Sequence, residues 1–250
     1  EKSHASHKGS HGDLAVIGGE ADRHGMGMTG AAVLAATAAL HAGAGRVMLS
    51  LLSGQASHTA APDLIQPAWQ RLDPHTCQLG ESPFWHPQEQ CLYWVDISGQ
   101  QLLRLHAGVL QTWDMPSEPG CISPARSGGL VIALRHGIFR AQQWGGALTH
   151  LATLPYDTST VRANDGKCDA LGRFWVGTVD ETKTQHAAAL YSLDARDASA
   201  APRITHQFGG ALTGNGMGFS PDNTVAYWAD TPQHRVYAWD FDLPINTLRD

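Results

Sequence analysis

Three short motifs in this sequence each place an oxygen-bearing side chain beside glycine. They centre on Glu81, Asn164 and Asn215. One carboxylate together with neutral amide oxygens is a ligand set for hard divalent cations such as Ca²⁺, Mg²⁺ or Mn²⁺, and Zn²⁺ tolerates it. We expect each motif to lie in a loop at a strand end. Brought together by the fold, the three motifs would form one divalent metal site.

The same motifs also have a plainer interpretation as ordinary turns. Asn and Asp tolerate the left-handed backbone and Gly supplies positive φ, so both 164–166 and 215–216 are typical of turns without a function. Each motif taken singly favours the turn. The order of the three motifs along the chain favours a shared site.

Two further patterns lie in the first 30 residues. Gly25–Gly30 fits GxGxxG, which binds a dinucleotide when it directly follows a strand and an acidic residue comes about 20 positions later. Here residues 18–24 intervene, and no acidic residue occurs between Asp22 and Asp63. Closely spaced histidines near a terminus are typical of a solvated segment, and here they are His4, His7 and His11. We therefore predict neither a dinucleotide site nor a histidine metal site.

The elements that must position the three motifs are short strands. From residue 91 onward helical periodicity is absent, and β-type runs alternate with turn formers. The predicted strands are 91–95, 130–134, 174–177, 189–193, 225–229 and 236–239. A turn followed by an aromatic strand recurs after about 50 residues, which suits the four-stranded blades of a β-propeller. A sandwich of short strands is the alternative that the pattern leaves open.

The chain before residue 53 has a different pattern. A strand, a glycine-rich loop, an alanine-rich helix and a second strand are predicted at 14–17, 18–30, 31–42 and 47–52. Such a β-loop-α-β unit normally forms a parallel strand pair, and one unit alone cannot bury both faces of its sheet. Residues 53–74 follow neither pattern and are interpreted as a linker.

Composition excludes several classes of function. The 250 residues carry 17 Lys and Arg against 23 Asp and Glu, a formal net charge of −6, and the basic residues are dispersed. This balance argues against a nucleic-acid partner. No apolar run approaches the roughly 18 residues of a membrane span, so we expect no membrane partner. The four widely spaced cysteines form no CxxC pair and indicate reduced thiols in a cytoplasmic protein.

Five segments of the second part resemble the gluconolactonase and regucalcin-like family, also called senescence marker proteins. The segments are 77–83, 92–97, 162–167, 172–178 and 215–230. Members of that family are six-bladed propellers that hold one divalent metal on the axis and hydrolyse sugar lactones. The resemblance therefore implies a mainly β fold, a partial six-bladed β-propeller, with a divalent metal (Ca, Zn, Mg or Mn) and a sugar-lactone substrate.

The resemblance also implies roles for particular residues. The implied metal ligands are Glu81, Asn164 and Asn215. The implied substrate contacts are Arg162, Asn164 and Glu181. In that family the metal polarises the lactone carbonyl, and an Asp in a Pro-Asp-Gly motif serves as a further ligand and transfers the proton. We expect that Asp to lie beyond Asp250, so no catalytic residue is assigned here. The chain is then expected to be a truncated, open ring with weak metal binding and little or no lactonase activity.

The first part resembles another family, the ADP- or ATP-dependent NAD(P)H-hydrate dehydratases. The resemblance rests on segments 6–9, 14–19, 27–36 and 42–47. It implies a ribokinase-like α/β fragment in which Ala31 matches a residue at the hydrated nicotinamide. The nucleotide-binding segments and the catalytic Gly-Asp motif of that family have no counterpart here.

The two resemblances divide the chain into a dehydratase fragment at 1–70 and a truncated propeller at 71–250. Metal-dependent hydrolysis of sugar lactones is the leading hypothesis for function. The alternatives are ADP-dependent NAD(P)H-hydrate dehydration, named from the first segment, and a calcium-binding propeller without catalytic turnover.

Overall fold

The computed structural model describes residues 13–18, 46–51, 74–86 and 88–249. The chain divides into two compact units, Glu1–Leu72 and Asp73–Asp250. The described residues form 18 strands with their connecting turns and contain no helix. No helix among them is long and apolar enough to cross a membrane.

In the first unit the structure describes two strands, β1 (Asp13–Gly18) and β2 (Arg46–Leu51). They pair in parallel, with Asp13 opposite Arg46. This confirms the two predicted strands and their parallel pairing. The predicted helix at 31–42, Ala31, the GxGxxG segment and the three N-terminal histidines lie outside the described residues. The dehydratase resemblance therefore stays a prediction.

The second unit consists of four antiparallel sheets, each made of four consecutive strands. We call them blades 1 to 4. The strands of blades 1 and 2 are β3 (Gly80–His86), β4 (Cys91–Asp96), β5 (Gln101–His106), β6 (Val109–Asp114), β7 (Pro119–Pro124), β8 (Leu130–Leu134), β9 (Gly137–Ala141) and β10 (Leu148–Thr153). Those of blades 3 and 4 are β11 (Val161–Cys168), β12 (Phe174–Asp180), β13 (Ala188–Asp194), β14 (Arg203–Ala211), β15 (Gly214–Phe219), β16 (Val225–Asp230), β17 (Arg235–Asp242) and β18 (Thr247–Arg249).

Four separate meanders of this kind are the arrangement of propeller blades and not of a two-sheet sandwich. The mainly β prediction is confirmed, and so is each of the six strands predicted from residue 91 onward. The described blades begin at residues 80, 119, 161 and 214. These intervals are typical of the blade repeat that the sequence indicated.

The apolar core lies between neighbouring blades. Blades 1 and 2 share one buried cluster, which includes Tyr93 and Ile132, and blades 2 and 3 share a second, which includes Ile138 and Val176. The third cluster joins blades 3 and 4 around aromatic side chains, among them the fully buried Trp228. Neighbouring sheets thus bury the faces that they turn toward each other.

In blades 1 and 4, a buried carboxylate at the end of the second strand of the blade binds the backbone just before the first strand. Asp96, at the end of β4, accepts the backbone N–H groups of Gln78 and Leu79, both at 2.9 Å. Asp230, at the end of β16, accepts those of Leu212 and Thr213 at 3.1 and 3.0 Å. The same arrangement in two blades shows that these aspartates have a structural role.

Blade 3 contains a buried ion pair at the turn between β11 and β12. Arg173 Nε lies 2.6 Å from Asp169 Oδ2, and the two side chains are at most 1% exposed. Trp175 Nε1 donates to the same oxygen at 3.0 Å, and the other oxygen accepts two backbone N–H groups. Arg173 also donates to the carbonyl of Leu243 in blade 4. The pair therefore holds the turn and ties it to the next blade.

Candidate metal and substrate site

The first strands of the blades lie side by side and carry the predicted site residues. β11 contacts both β7 and β15, and β3 contacts β7. Glu81 lies in β3, Asn164 in β11 and Asn215 in β15. The expectation that these residues sit in loops at strand ends is therefore wrong. The register of each of these strands shifts at the motif: Asn164 lies within a β-bulge, and Glu81 and Asn215 directly precede one.

The glycines that indicated turns serve these bulges instead. Gly216 has a φ of 63°, in the left-handed region. A Cβ on Gly166 would lie 2.4 Å from the carbonyl oxygen of Trp175 and 2.6 Å from the sulfur of Cys121. Both positions therefore need glycine for the local backbone to bend or to pack closely.

Two of the predicted metal ligands are in direct contact across blades 3 and 4. Asn164 Nδ2 donates to Asn215 Oδ1 at 2.8 Å and to the Gly214 carbonyl at 2.9 Å. Asn215 Nδ2 donates to Thr231 Oγ1 at 2.9 Å. Asp165 Oδ2 accepts the N–H of Gly216 at 2.7 Å. The two amide side chains are thus held together at one end of the first strands.

Glu81 brings a carboxyl group from blade 1 toward this pair. Partial desolvation raises its pKa above the usual value, and the charge of Asp165 adds to the effect. The N–H of Ser82 and the charge of Arg162 act in the opposite direction. Glu81 is therefore within electrostatic range of two groups on β11. Asp165 is a member of the site that the sequence did not single out, although it follows Asn164 directly.

The predicted substrate residues Arg162 and Glu181 are also brought together. Arg162 Nη1 donates to Asn164 Oδ1 at 3.0 Å, and Arg162 Nε lies 3.4 Å from Glu181 Oε1. Burial lowers the pKa of Arg162, while the charge of Glu181 opposes that shift. The guanidinium thus links a predicted metal ligand to a predicted substrate contact.

Arg135 and Glu118 extend this network, and sequence reasoning missed both. Arg135 donates to the two oxygens of Glu181 at 2.8 and 3.1 Å and to those of Glu118 at 2.9 and 2.8 Å. These bonds to Arg135 lower the pKa of both carboxyl groups. The residues come from separate positions in the chain, and no local motif signals their contact.

The donor set at the bulges fits a hard divalent cation. It contains the carboxylate of Glu81 and the amide oxygens of Asn164 and Asn215, with Asp165 close by. The two amide oxygens accept N–H groups of Arg162 and Asn164 in the structure, and a cation would replace these bonds. A softer group lies before β3, where ligand atoms of His75, Cys77 and Asp96 fall within 4.8 Å of one another. The oxygens of Asp96 already accept backbone N–H groups, and Trp94 Nε1 donates to Cys77 at 3.3 Å. The grouping of these three side chains is therefore explained by the structural role of Asp96.

Blades of four antiparallel strands with oxygen ligands on their first strands define a propeller-type protein with a candidate cation and substrate site. A family model described as the SMP-30/gluconolactonase/LRE-like region matches residues 79–250. The chain belongs to this family. The resemblance found in the sequence is thereby confirmed for the second part of the chain.

Individual relatives agree with this assignment. The chain is 37% identical over 166 residues to a 6-deoxy-6-sulfogluconolactonase of Pseudomonas putida, covering 66% of this chain and 55% of the relative. It is 33% identical over 176 residues to regucalcin of Danio rerio, covering 68% and 57%. The chain therefore spans less than two thirds of these relatives.

Solved structures show the same fold. The crystal structure of a calcium-binding protein, regucalcin, from Agrobacterium tumefaciens superposes with a TM-score of 0.62 and 28% identity, covering 68% of this chain and 57% of that one. A gluconolactonase from Xanthomonas campestris superposes with a TM-score of 0.56 at 19% identity, covering 70% and 61%. The second likeness concerns the fold alone.

Proposed function

We propose that residues 74–249 form four blades of a six-bladed sugar lactonase that depends on one divalent cation. The observation that carries the proposal is the contact of Asn164 with both Asn215 and Arg162, at 2.8 and 3.0 Å. It joins the predicted ligands and the predicted substrate contacts into one site. Relatives named 6-deoxy-6-sulfogluconolactonase and gluconolactonase support a lactone as the substrate.

In this proposal Glu81, Asn164 and Asn215 hold the cation. A bound divalent cation supplies Lewis-acid polarisation of the lactone carbonyl and lowers the pKa of a coordinated water. Calcium, magnesium, manganese and zinc are the candidates, and the all-oxygen donor set favours the first three.

The residues of the chain position the lactone. Arg162 can donate to a sugar hydroxyl or to the carboxylate that forms as the ring opens, because a guanidinium carries five N–H donors. Glu181 lies 3.4 Å from Nε of that guanidinium and is itself held by Arg135. None of the described residues is assigned as the proton acceptor.

Calorimetric titration with Ca²⁺, Mn²⁺ and Zn²⁺ tests the cation site. We expect one cation per chain, and an affinity at least about tenfold weaker in Asn164→Ala because a ligand and the partner of Asn215 are lost together. Gln142→Ala, an exposed amide in the turn after β9, is the control and should bind as the unaltered chain does. Unchanged affinity in Asn164→Ala would overturn the metal site.

Hydrolysis of glucono-1,5-lactone, followed by acid release in the presence of each cation, tests the activity. A rate that depends on the cation and disappears in Arg162→Ala supports the proposal. A rate that is the same without the cation contradicts it. Cation binding with no hydrolysis favours the second candidate, a calcium-binding propeller without turnover, which the relatives named regucalcin support.

Two finer proposals remain from the sequence. We propose a cytoplasmic location, which is supported by four cysteines that are all free thiols in the structure. The dehydratase alternative concerns residues 6–69, and ADP-dependent loss of the NADH-hydrate absorbance would support it.

A further inference from the structure

The turn after β12 presents a lysine beside the candidate site. The buried carboxylate of Asp180 accepts the N–H groups of Thr182 and Gln185 at 2.9 and 2.8 Å. It also accepts the hydroxyl of Thr182 at 2.6 Å. Lys183 has a φ of 59°, in the left-handed region. The backbone of Lys183 is therefore held in an uncommon conformation by a buried anchor.

The side chain of Lys183 lies against the strand that carries Asn215. Its Nζ donates to Thr213 Oγ1 at 2.5 Å. Thr213 directly precedes β15 and lies two positions before Asn215. Desolvation and the charge of Arg162 lower the pKa of Lys183. The ammonium is thus within electrostatic range of Arg162 and is bonded to the residue directly before the strand that carries Asn215.

Lys183 differs from the two arginines of this site because, among the described residues, it is not paired with a carboxylate. Arg135 is paired with Glu118 and Glu181, and Arg162 faces Glu181. In the described part of the chain, Lys183 Nζ has the Thr213 hydroxyl as its hydrogen-bond partner and no carboxylate within ion-pair distance. An ammonium has three N–H donors, so two remain for a ligand.

We propose that Lys183 is a specificity-determining residue that binds an anionic substituent of the sugar. The proposal rests on the proposed function and narrows its substrate class to lactones that carry a sulfonate, carboxylate or phosphate. Arg162 would then contact the reacting end of the sugar while Lys183 contacts the acidic group. Glu181 is already paired with both arginines, so the ammonium of Lys183 is the cation left for a further anion.

Binding of two cyclic sugars that cannot be hydrolysed separates this role from catalysis. The probes are 6-deoxy-6-sulfo-D-glucose and D-glucose, titrated by calorimetry in the presence of Ca²⁺. We expect the sulfonated sugar to bind about tenfold more tightly, the value of one charge-assisted hydrogen bond. Lys183→Gln should remove this preference without changing the affinity for glucose, and Lys183→Arg should retain it.

Two further variants guard against indirect effects. Lys167→Gln removes the same charge from an exposed position further along β11 and should keep the preference. Thr213→Val removes the hydroxyl that anchors Lys183 and should weaken the preference without abolishing it. Loss of the preference in Lys167→Gln would show a general charge effect and overturn the assignment.

The outcomes distinguish this proposal from the proposed function. Equal affinity for the two sugars, or a preference retained in Lys183→Gln, overturns the role of Lys183 and leaves hydrolysis of a neutral lactone unaffected. Failure of both sugars to bind also overturns it. In that case, hydrolysis of glucono-1,5-lactone decides separately whether the proposed function stands.

Discussion

Asp169→Asn should be among the most destabilising single-atom changes in the propeller. Oδ2 of Asp169 accepts Arg173 Nε at 2.6 Å and Trp175 Nε1 at 3.0 Å, whereas Oδ1 accepts the N–H groups of Leu171 and Arg173. Asparagine can serve only one of these pairs of donors. Either its amide nitrogen faces Arg173 and Trp175, or it faces the two backbone N–H groups.

The magnitude follows from the burial of the ion pair. Removing one partner of a buried pair leaves an uncompensated charge and costs about 3–5 kcal/mol. For a protein of this size each kcal/mol lowers Tm by about 2–4 °C, so we expect a decrease of roughly 10 °C. Combining Asp169→Asn with Arg173→Met removes the stranded charge, and the double variant should be more stable than Asp169→Asn alone.

Urea denaturation followed by tryptophan fluorescence measures this, with the free energy of unfolding compared at 25 °C. The control is Asp197→Asn, an exposed aspartate that accepts only the N–H and hydroxyl of Ser199, and it should unfold as the unaltered chain does. A cost below about 1 kcal/mol for Asp169→Asn would refute the reasoning, because the charge of Arg173 would then be compensated elsewhere. A double variant less stable than Asp169→Asn would refute it as well.

Three other predictions concern the site and the core. Glu81→Gln should raise the free energy of unfolding of the cation-free protein at pH 7, because the raised pKa of Glu81 means that its ionisation opposes folding. This stabilisation should decrease as the pH falls through that pKa. Calorimetry should also show that the variant binds the cation at least about tenfold more weakly. Gly214→Ala should cost about 1–3 kcal/mol in urea denaturation, since the new Cβ would lie 2.2 Å from the ring of Trp228; an unchanged midpoint would contradict this packing. Alkylation with mass spectrometry at pH 7.5 should modify the partly exposed Cys77 in the native protein and Cys121 only after unfolding, because Cys121 is fully buried and its pKa is raised well above the usual value; early labelling of Cys121 would count against the fold.

The sequence predicted strands well where aromatic and β-branched residues alternate with turn formers. Second strands such as β4, β8, β12 and β16 have that composition, and all four were predicted. The first strands were missed because β3, β11 and β15 contain glycine, proline or asparagine at their bulges. Local composition indicates a turn there, whereas packing against the neighbouring blades keeps the chain extended.

Site residues that belong to a sequence motif could be predicted. Site residues that come together only through the fold could not. Glu81, Asn164 and Asn215 were found through their motifs, yet their convergence depends on the stacking of blades. Arg135 is 46 positions from Glu181, and no spacing rule connects them. The position of Lys183 depends on the buried carboxylate of Asp180 and on the hydroxyl of Thr213, and both contacts are known only from the fold.

Because the core lies between blades, the stability of this unit is approximately a sum of contributions from each pair of neighbouring blades. Within the described residues, blades 1 and 4 each share one buried cluster, whereas blades 2 and 3 each share two. The outer blades should therefore fray first. Glu81 belongs to blade 1 and Asn215 to blade 4. A ligand that binds both residues therefore stabilises the two blades that have the fewest buried contacts with other blades. Slower amide exchange in blades 1 and 4 upon ligand addition would be the signature of that linkage.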